Sequence, residues 1–179
     1  MSRPPFLLFY NGKPTDMNDE QRQQRALDET FMQEALDDAR RAAALGEVPV
    51  GAVAVLDGAI IGRGYNRREL DRNPLLHAEI VAIEEASRAM GAWRLVGVTL
   101  YVTLEPCLMC AGAMVLARVE RLVYGAADPK AGAVTSLFEV LAEPRLNHHV
   151  EVEGGVLSPD CSTLLSDFFR TLRKKRGAP

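Results

Sequence analysis

Apolar and polar positions along the chain follow a helical period in some blocks and a strand pattern in others. From Asp28 to about Leu45 apolar residues recur at helical spacing, with Asp28 as the expected N-cap and Gly46 as the stop. The apolar stripe of this first predicted helix consists of Phe31, Met32, Ala35, Leu36 and Ala39. The next segment, Val50 to Leu56, is continuously apolar apart from glycine, which is typical of a buried strand.

A hairpin and then an alternation of helices and strands follow. Asp57-Gly58 is a turn signal, so Ala59 to Tyr65 is expected to return antiparallel. The later predicted elements are a helix from His77 to Met90, a strand at Thr99–Thr103, a helix from Cys107 to Arg118, a strand at Arg121–Tyr124, a short helix near Ser136–Leu141, a strand at Val150–Glu153 and a last helix capped by Ser158 and Pro159. Such alternation implies right-handed parallel crossovers. The pattern predicts a three-layer α/β/α fold, a mixed five-stranded sheet with helices on both faces.

Residues 1 to 26 differ from the rest of the chain. They carry several prolines and a polar run with little periodicity, so they are expected to form a loosely ordered N-terminal extension. Residues 27–179 are then expected to form one domain, because the chain of 179 residues is long enough to bury a core.

Composition adds an expectation about the compartment. Apolar residues make up 47% and charged residues 25% of the chain, as in an ordinary soluble globular protein. The chain has no transmembrane run, and Phe6–Tyr10 is too short for a secretion signal. Of the 3 cysteines, the two that are spaced as metal ligands leave no pair for a disulfide. We therefore expect a cytoplasmic protein with no membrane association.

Charge is unevenly distributed along the chain. The formal net charge is −3, which does not indicate nucleic-acid binding by itself. Basic residues nevertheless crowd the C-terminus, at Arg170, Arg173, Lys174, Lys175 and Arg176. This cluster suits contact with phosphates, although basic residues in a last helical turn also complement the helix dipole.

Two short motifs combine metal ligands with an acid. They are His77-Ala78-Glu79 and Pro106-Cys107-Leu108-Met109-Cys110. Catalytic zinc sites use three protein ligands and keep a fourth position for water. His77, Cys107 and Cys110 supply these ligands for one zinc ion per subunit, and Glu79 remains free to transfer protons.

The spacing of the two motifs also predicts their geometry. Pro106 favours a helix start, where Cys107 and Cys110 would share one face and feel the positive end of the helix dipole. Residues two apart diverge on a regular helix, so His77 should lie at the very start of its helix if it is to approach Glu79. The predicted site therefore lies between two helix N-termini.

The alternatives to a catalytic site are a closed structural zinc site and a chance grouping of one His with two core cysteines. A closed site would need a fourth ligand, for which Cys161, His148 and His149 are the remaining candidates. None of them has a local ligand spacing with the others. Cys161 lies in an apolar helical run and is expected to be a core residue.

Beyond the metal ligands, the chain resembles the bacterial tRNA-specific adenosine deaminases, which are zinc-dependent nucleobase deaminases. The similarity extends from about Asp28 to Arg176. The segments that carry it are Glu47–Ala52, His77–Ile80, Leu100–Cys107, Met109–Ala113 and Leu164–Phe169. The resemblance implies the cytidine-deaminase-like fold, a homodimer, and hydrolysis of the wobble adenosine of the tRNA anticodon stem-loop to inosine and ammonia.

The resemblance also implies roles for individual residues. His77, Cys107 and Cys110 would bind zinc, and Glu79 would pass a proton from the zinc-bound water to the base. The residues that would contact the substrate are Asn66 on the flipped base, Val50 and Leu104 in the pocket wall, and Asp128, Phe168, Phe169 and Arg170 on the RNA. Asn66 also suits the end of a hairpin, and Asp128-Pro129-Lys130 also suits an ordinary turn.

The chain departs from the family pattern beside the first motif and near residue 149. Leu75 and Leu76 stand where the family usually has Thr and Ala, and His149 stands where Arg is common. Two other functions stay open at this point. One is a deaminase of a free base or nucleoside, of the guanine or cytidine type, and the other is a non-catalytic RNA-binding module stabilised by zinc.

Overall fold

The computed structural model describes residues 18–177. Its elements are α1 (Asp19–Ala44), β1 (Gly51–Leu56), β2 (Ala59–Tyr65), α2 (Ala78–Met90), β3 (Thr99–Leu104), α3 (Leu108–Ala117), β4 (Arg121–Ala126), β5 (Glu151–Gly154) and α4 (Ser158–Arg176). The five strands form one sheet in the order β2-β1-β3-β4-β5. Strand β1 is antiparallel to both β2 and β3, whereas β3, β4 and β5 run parallel. The predicted mixed five-stranded sheet is confirmed.

The helices cover both faces of the sheet and create two apolar cores. On one face, Met32 and Leu36 of α1 and Cys161 of α4 pack against Val53 and Val123 of the sheet. On the other face, α2 and α3 pack against the opposite side of the same strands, with Ala82, Met114, Leu100 and Leu122 in one cluster. The fold is the predicted three-layer α/β/α arrangement.

The first helix begins at Asp19, so the prediction that Asp28 caps it is wrong. Asn18 is the N-cap, because its side chain accepts from the Gln21 N–H at 2.8 Å while the Gln21 side chain accepts from the Asn18 N–H at 3.0 Å. Residues 18–26 of the predicted extension therefore belong to the helix start, and residues 1–17 lie outside the described part of the chain.

Asp28 lies in the middle of α1 and is only 2% exposed. Its carboxylate accepts two hydrogen bonds from the Arg121 guanidinium, at 2.7 and 2.8 Å, and one from the Tyr101 hydroxyl at 3.0 Å. A buried carboxylate requires such partners, and the three residues join α1 to β3 and β4.

Close packing between α2 and the β2 edge strand places the start of α2. A Cβ added at Gly64 would lie 2.0 Å from the Ala78 carbonyl oxygen, and one at Gly62 would lie 2.4 Å from that of Ala82. The helix presents Ala78, Ala82 and Ala86 to these glycines, and all three side chains are fully buried. Small residues on both sides let the two backbones approach, which fixes the position of His77 directly before α2.

Two other expectations about secondary structure are corrected. Ser158 is the first residue of α4 and not its cap; the N-cap is Leu157, which has a φ of 50° and no side-chain capping bond. The short helix expected near Ser136–Leu141 is reduced to a 3-10 turn at Val140–Ala142. Within residues 18–177, no helix is long and apolar enough to cross a membrane.

Candidate active site

A cavity of about 580 Å³ opens where strand ends and helix starts meet. His77 and Cys107, the residues that precede α2 and α3, lie in its wall beside the end of β3. In open α/β sheets, ligands bind beyond the carboxyl ends of the parallel strands. The cavity is in this position, and the volume is ample for one nucleobase.

Three metal-ligand atoms converge at the wall of this cavity. Nδ1 of His77 lies 3.6 Å from Sγ of Cys107 and 3.6 Å from Sγ of Cys110, and the two sulfur atoms are 3.7 Å apart. For a tetrahedral zinc ion with ordinary bond lengths, the expected separations are about 3.8 Å between sulfurs and about 3.6 Å between nitrogen and sulfur. The donor set therefore fits a tetrahedral metal ion closely.

The predicted position between two helix N-termini is confirmed. His77 is the N-cap of α2 and Cys107 is the N-cap of α3, and neither side chain makes a capping hydrogen bond. Cys110 follows in the first turn of α3 and is fully buried. The positive ends of both helix dipoles point at the donors, which favours thiolate and other negative charge at the site.

The pKa values of the two thiols shift in opposite directions, because the two sulfur atoms contact each other. The hydrogen bond with Cys110, and more weakly the one with His77, lowers the pKa of Cys107 to about 3. The same contact, followed by burial, raises the pKa of Cys110. Protons thus shared among the donors are displaced when a metal ion binds, because the metal requires both sulfurs as thiolates.

Glu79 is the buried acid next to these donors. Its side chain is 4% exposed and borders the cavity. Burial raises the pKa of Glu79, and its carboxyl also contacts Cys110. A buried carboxyl group whose pKa is raised suits proton transfer at the cavity.

The described residues supply no fourth ligand for a closed structural site. The only cluster of His, Cys and acidic ligands found among residues 18–177 is His77, Cys107 and Cys110. Nε2 of His148 lies 2.6 Å from the Val119 carbonyl oxygen, and Cys161 is buried in the core under α1, as predicted. The geometry therefore favours an open site.

Asn66 stands at the end of β2 and is 7% exposed. Its Nδ2 donates to the Val48 carbonyl at 3.1 Å, and its Oδ1 accepts from the Ala78 N–H at 3.1 Å. Both predicted roles are therefore compatible with one position: the amide ties the hairpin end to the start of α2 and also borders the cavity. One N–H of the amide group is left to hydrogen-bond a ligand.

The other residues predicted to contact substrate divide into two groups. Val50, Leu104, Asp128 and Phe169 border the cavity. Phe168 and Arg170 do not: Phe168 packs edge-on against Phe169 with ring centroids 5.5 Å apart, and Arg170 pairs with Asp167 at 2.7 Å. The structure thus brings one face of α4 to the cavity and turns these two side chains away.

Sequence reasoning missed Glu105, Arg68 and Lys130. All three border the cavity, and Glu105 is 2% exposed. Burial opposes ionisation of Glu105, but hydrogen bonds from Ser136 and from backbone N–H groups hold the pKa of its carboxyl below the usual value. A glutamate at the end of an apolar strand was the available signal, because a buried charge needs several donors.

Comparison with known proteins agrees with this geometry. A model of the MafB19-like deaminase family matches residues 27–173. The tRNA-specific adenosine deaminase of Bacillus subtilis is 54% identical over 151 residues, which cover 84% of this chain and 94% of the relative. The enzyme of the same name from Streptococcus pyogenes serotype M1 is 49% identical over 146 residues, covering 82% of this chain and 85% of the relative.

Solved structures give the same grouping. A tRNA:A34 deaminase, described in connection with A-to-I editing at the wobble position of transfer RNA, superposes with a TM-score of 0.74 at 46% identity and covers 76% of this chain and 99% of its own. Guanine deaminase from Nitrosomonas europaea has a TM-score of 0.65 at 25% identity, with 93% of each chain covered. The chain therefore belongs to the MafB19-like deaminase family and, within it, to the tRNA-specific adenosine deaminases.

Proposed function

We propose that this chain hydrolyses the wobble adenosine in the anticodon stem-loop of tRNA to inosine, with release of ammonia. The observation that carries the proposal is the His77, Cys107 and Cys110 triangle beside the buried Glu79, at the wall of a cavity that can hold one base. The family gives the substrate: its members at 49–54% identity are named for tRNA and adenosine.

His77, Cys107 and Cys110 would hold one zinc ion per chain. When bound there, zinc lowers the pKa of a coordinated water and so supplies a nucleophile at neutral pH. The three donors already have tetrahedral spacing, and the helix dipoles would stabilise the charges of the two thiolates.

Glu79 would move the protons of the reaction. It accepts a proton from the attacking water and delivers it to N1 of adenine while the new C6–O bond forms. Glu79 then takes the proton of the new C6 hydroxyl and passes it to the exocyclic nitrogen, so that the C6–N bond breaks, ammonia leaves and the C6 carbonyl of inosine remains. Burial of Glu79 raises its pKa, which favours the protonated form that this second step requires.

The cavity wall would orient the base. The free N–H of Asn66 can donate to a ring nitrogen of adenine, while Val50 and Leu104 provide apolar surface in the wall. Asn66 already holds the start of α2 through the Ala78 N–H, so base contact and the position of Glu79 are linked through one side chain.

The surroundings of the cavity suit a polynucleotide. Arg68 and Lys130 border its mouth, and Phe169 offers a ring that is 40% exposed. Cations can hold phosphates, and an exposed ring can stack on a splayed base. In this proposal, the more distant part of the stem-loop contacts Phe168, Arg170 and the basic residues that follow them. A tRNA substrate also agrees with the cytoplasmic location that we expect.

A homodimer is part of the same proposal. Leu108 and Leu116 lie two turns apart on α3 and are 52% and 74% exposed. A second copy that covers this stripe would remove both side chains from water. Sedimentation of the wild type and of Leu116→Glu tests this point: a dimer that becomes a monomer supports it, and a monomeric wild type overturns it.

The substrate is tested by comparing purified protein on an in vitro transcribed tRNA that carries a wobble adenosine with free adenosine, guanine and cytidine. We expect inosine in the tRNA alone. Because the guanine deaminase from N. europaea shares the fold, conversion of free guanine is the alternative result. It would retain the metal chemistry and reject the tRNA substrate, whereas RNA affinity without turnover of any substrate would favour a non-catalytic module.

A further inference from the structure

The buried carboxylate of Glu105 accepts hydrogen bonds from both ends of one loop. We call this loop, residues 127–137, the cavity loop. Oε2 accepts from the Asp128 N–H at 2.9 Å and from the Ser136 hydroxyl. Oε1 accepts from the backbone N–H groups of Val134 at 3.2 Å, Thr135 at 2.8 Å and Ser136 at 2.9 Å, and from the Thr135 hydroxyl at 3.3 Å. A single side chain thus pairs with donors from both ends of the loop, among them the N–H of the buried Val134.

The cavity loop is also packed tightly around this carboxylate. A Cβ added at Gly132 would lie 2.4 Å from Cδ of Glu105 and 2.6 Å from the Asp128 carbonyl oxygen. The Ala133 N–H donates to the Pro106 carbonyl at 2.8 Å, directly before the metal-ligand motif. The loop therefore wraps Glu105 with no space for a larger residue at position 132.

The first part of the same loop forms one wall of the cavity. Residues 127–131 border it, as do Val50 and Asn66, which flank the β1–β2 hairpin. The Asp128 carboxylate is turned into the loop itself, where it accepts from the N–H groups of Lys130 at 2.9 Å and Ala131 at 3.3 Å. The Asp128 N–H that Glu105 holds is the attachment point of this wall.

We infer that Glu105 is a positioning residue that holds the cavity loop in its substrate-binding shape, so that it sets affinity for the nucleotide substrate and leaves the chemical step to Glu79 and the metal donors. Both carboxylate oxygens are occupied by loop donors, so Glu105 acts on the substrate through the loop. The inference rests on the proposed function for the nature of the substrate, but its structural part concerns the loop alone.

Replacement of Glu105 by Gln should affect the two ends of the cavity loop differently. An amide has one acceptor oxygen, and the position of Oε1, which faces three backbone N–H groups, is where that oxygen satisfies most donors. The amide NH₂ then occupies the position of Oε2, where it can donate to the Ser136 hydroxyl but opposes the Asp128 N–H. Glu105→Gln should therefore release the cavity wall at Asp128 and keep the 134–136 end attached.

The experiment compares wild type, Glu105→Gln and Ser136→Ala by amide hydrogen exchange, by zinc content and by steady-state kinetics on the anticodon stem-loop. In Glu105→Gln we expect about ten-fold faster exchange of the Asp128 amide, unchanged exchange at 134–136, and about a ten-fold rise in KM. Zinc content and kcat should stay close to wild type. Ser136→Ala, which removes one donor to Oε2, should change KM in the same direction and by less.

Asp28→Asn is the matched control. Asp28 is also 2% exposed and accepts several hydrogen bonds, but it belongs to α1, which packs on the other face of the sheet. The Asp28→Asn variant should have lower thermal stability and an unchanged KM.

The inference is overturned if Glu105→Gln lowers kcat or zinc content at an unchanged KM, or if exchange at Asp128 stays as in wild type. A wild type that fails to deaminate the stem-loop would overturn the proposed function, while the exchange at Asp128 would still report on the anchor.

Discussion

At the scale of single residues, the proposed reaction would depend on the buried carboxyl of Glu79 and on three donors that are spaced for a tetrahedral metal ion. His77, Cys107 and Cys110 are separated by 3.6 to 3.7 Å, as one metal ion requires. Glu79 is buried beside them and is not a member of that ligand cluster. Metal binding and proton transfer are therefore assigned to different side chains and can be separated by mutation.

Glu79→Gln should abolish proton transfer and leave the metal site intact. The amide has nearly the same shape but cannot accept and return a proton, so we expect kcat to fall by about 10² to 10⁴. Zinc content, measured by mass spectrometry of the metal, should equal that of wild type. Glu84→Gln is the matched control, because Glu84 lies on the same helix with its side chain 52% exposed. A Glu79→Gln protein with wild-type kcat would remove Glu79 from the mechanism.

The sequence allowed the metal donors and Glu79 to be predicted because their chemistry imposes local spacing. Glu105 was missed because its hydrogen-bond partners are 23 to 31 residues further along the chain, and local patterns do not report such contacts. Phe168 and Arg170 do not border the cavity, and their contact with the RNA stays a prediction. Which face of α4 meets the cavity depends on tertiary packing, which helical periodicity does not determine.

At the scale of secondary-structure elements, contact between α2 and β2 positions half of the site. Gly62 and Gly64 have no side chains on the face that meets Ala78, Ala82 and Ala86. This close approach holds the first turn of α2, and with it His77 and Glu79, against the cavity. The alternating glycines are visible in the sequence, but the helix that packs on them is identified only in three dimensions.

Gly64→Ala should move α2 away from the sheet. The new methyl group would lie 2.0 Å from the Ala78 carbonyl oxygen and 2.7 Å from the Ala82 nitrogen, both of them rigid backbone atoms. We expect the free energy of unfolding to fall by about 1–3 kcal/mol or more, with weaker zinc binding, because His77 moves relative to the two thiolates. Thermal denaturation and zinc titration measure the two effects.

Gly177→Ala serves as the control for Gly64→Ala. Its added Cβ would meet only the Arg173 carbonyl oxygen, at 3.4 Å, beyond the end of α4. Gly177→Ala should change neither the free energy of unfolding nor the zinc affinity. Wild-type stability and zinc affinity in Gly64→Ala would contradict the account of α2 packing.

At the scale of the whole molecule, the metal site joins parts of the chain that are distant in sequence. The three donors connect the start of α2 to the start of α3. Strands β1, β2 and β3 lie between these two helices and α1. A ligand that binds only the folded state stabilises it by mass action. Zinc should therefore raise the stability of the entire domain.

Chelation should lower the Tm, and addition of zinc should restore it. The stabilisation is about 2.7 kcal/mol when free zinc is about 100 times its Kd. Cys110→Ala should abolish the shift, whereas Cys161→Ala should retain it, although the two thiols are similarly buried at 0% and 1% exposure. Equal Tm values for the zinc-loaded and chelated wild type would contradict the metal site, and loss of the shift in Cys161→Ala would make Cys161 a ligand.

The central claim is that the cavity hydrolyses one adenine in a folded tRNA. The most direct measurement is the reaction of wild-type protein with a tRNA that carries a wobble adenosine in water enriched in oxygen-18, followed by digestion and mass spectrometry of the nucleosides. The account predicts a single oxygen-18 atom at C6 of inosine, at the wobble position alone. When Glu79→Gln replaces the wild-type protein, no labelled inosine should form. Inosine without the label, or unchanged tRNA beside a labelled free base, would contradict it.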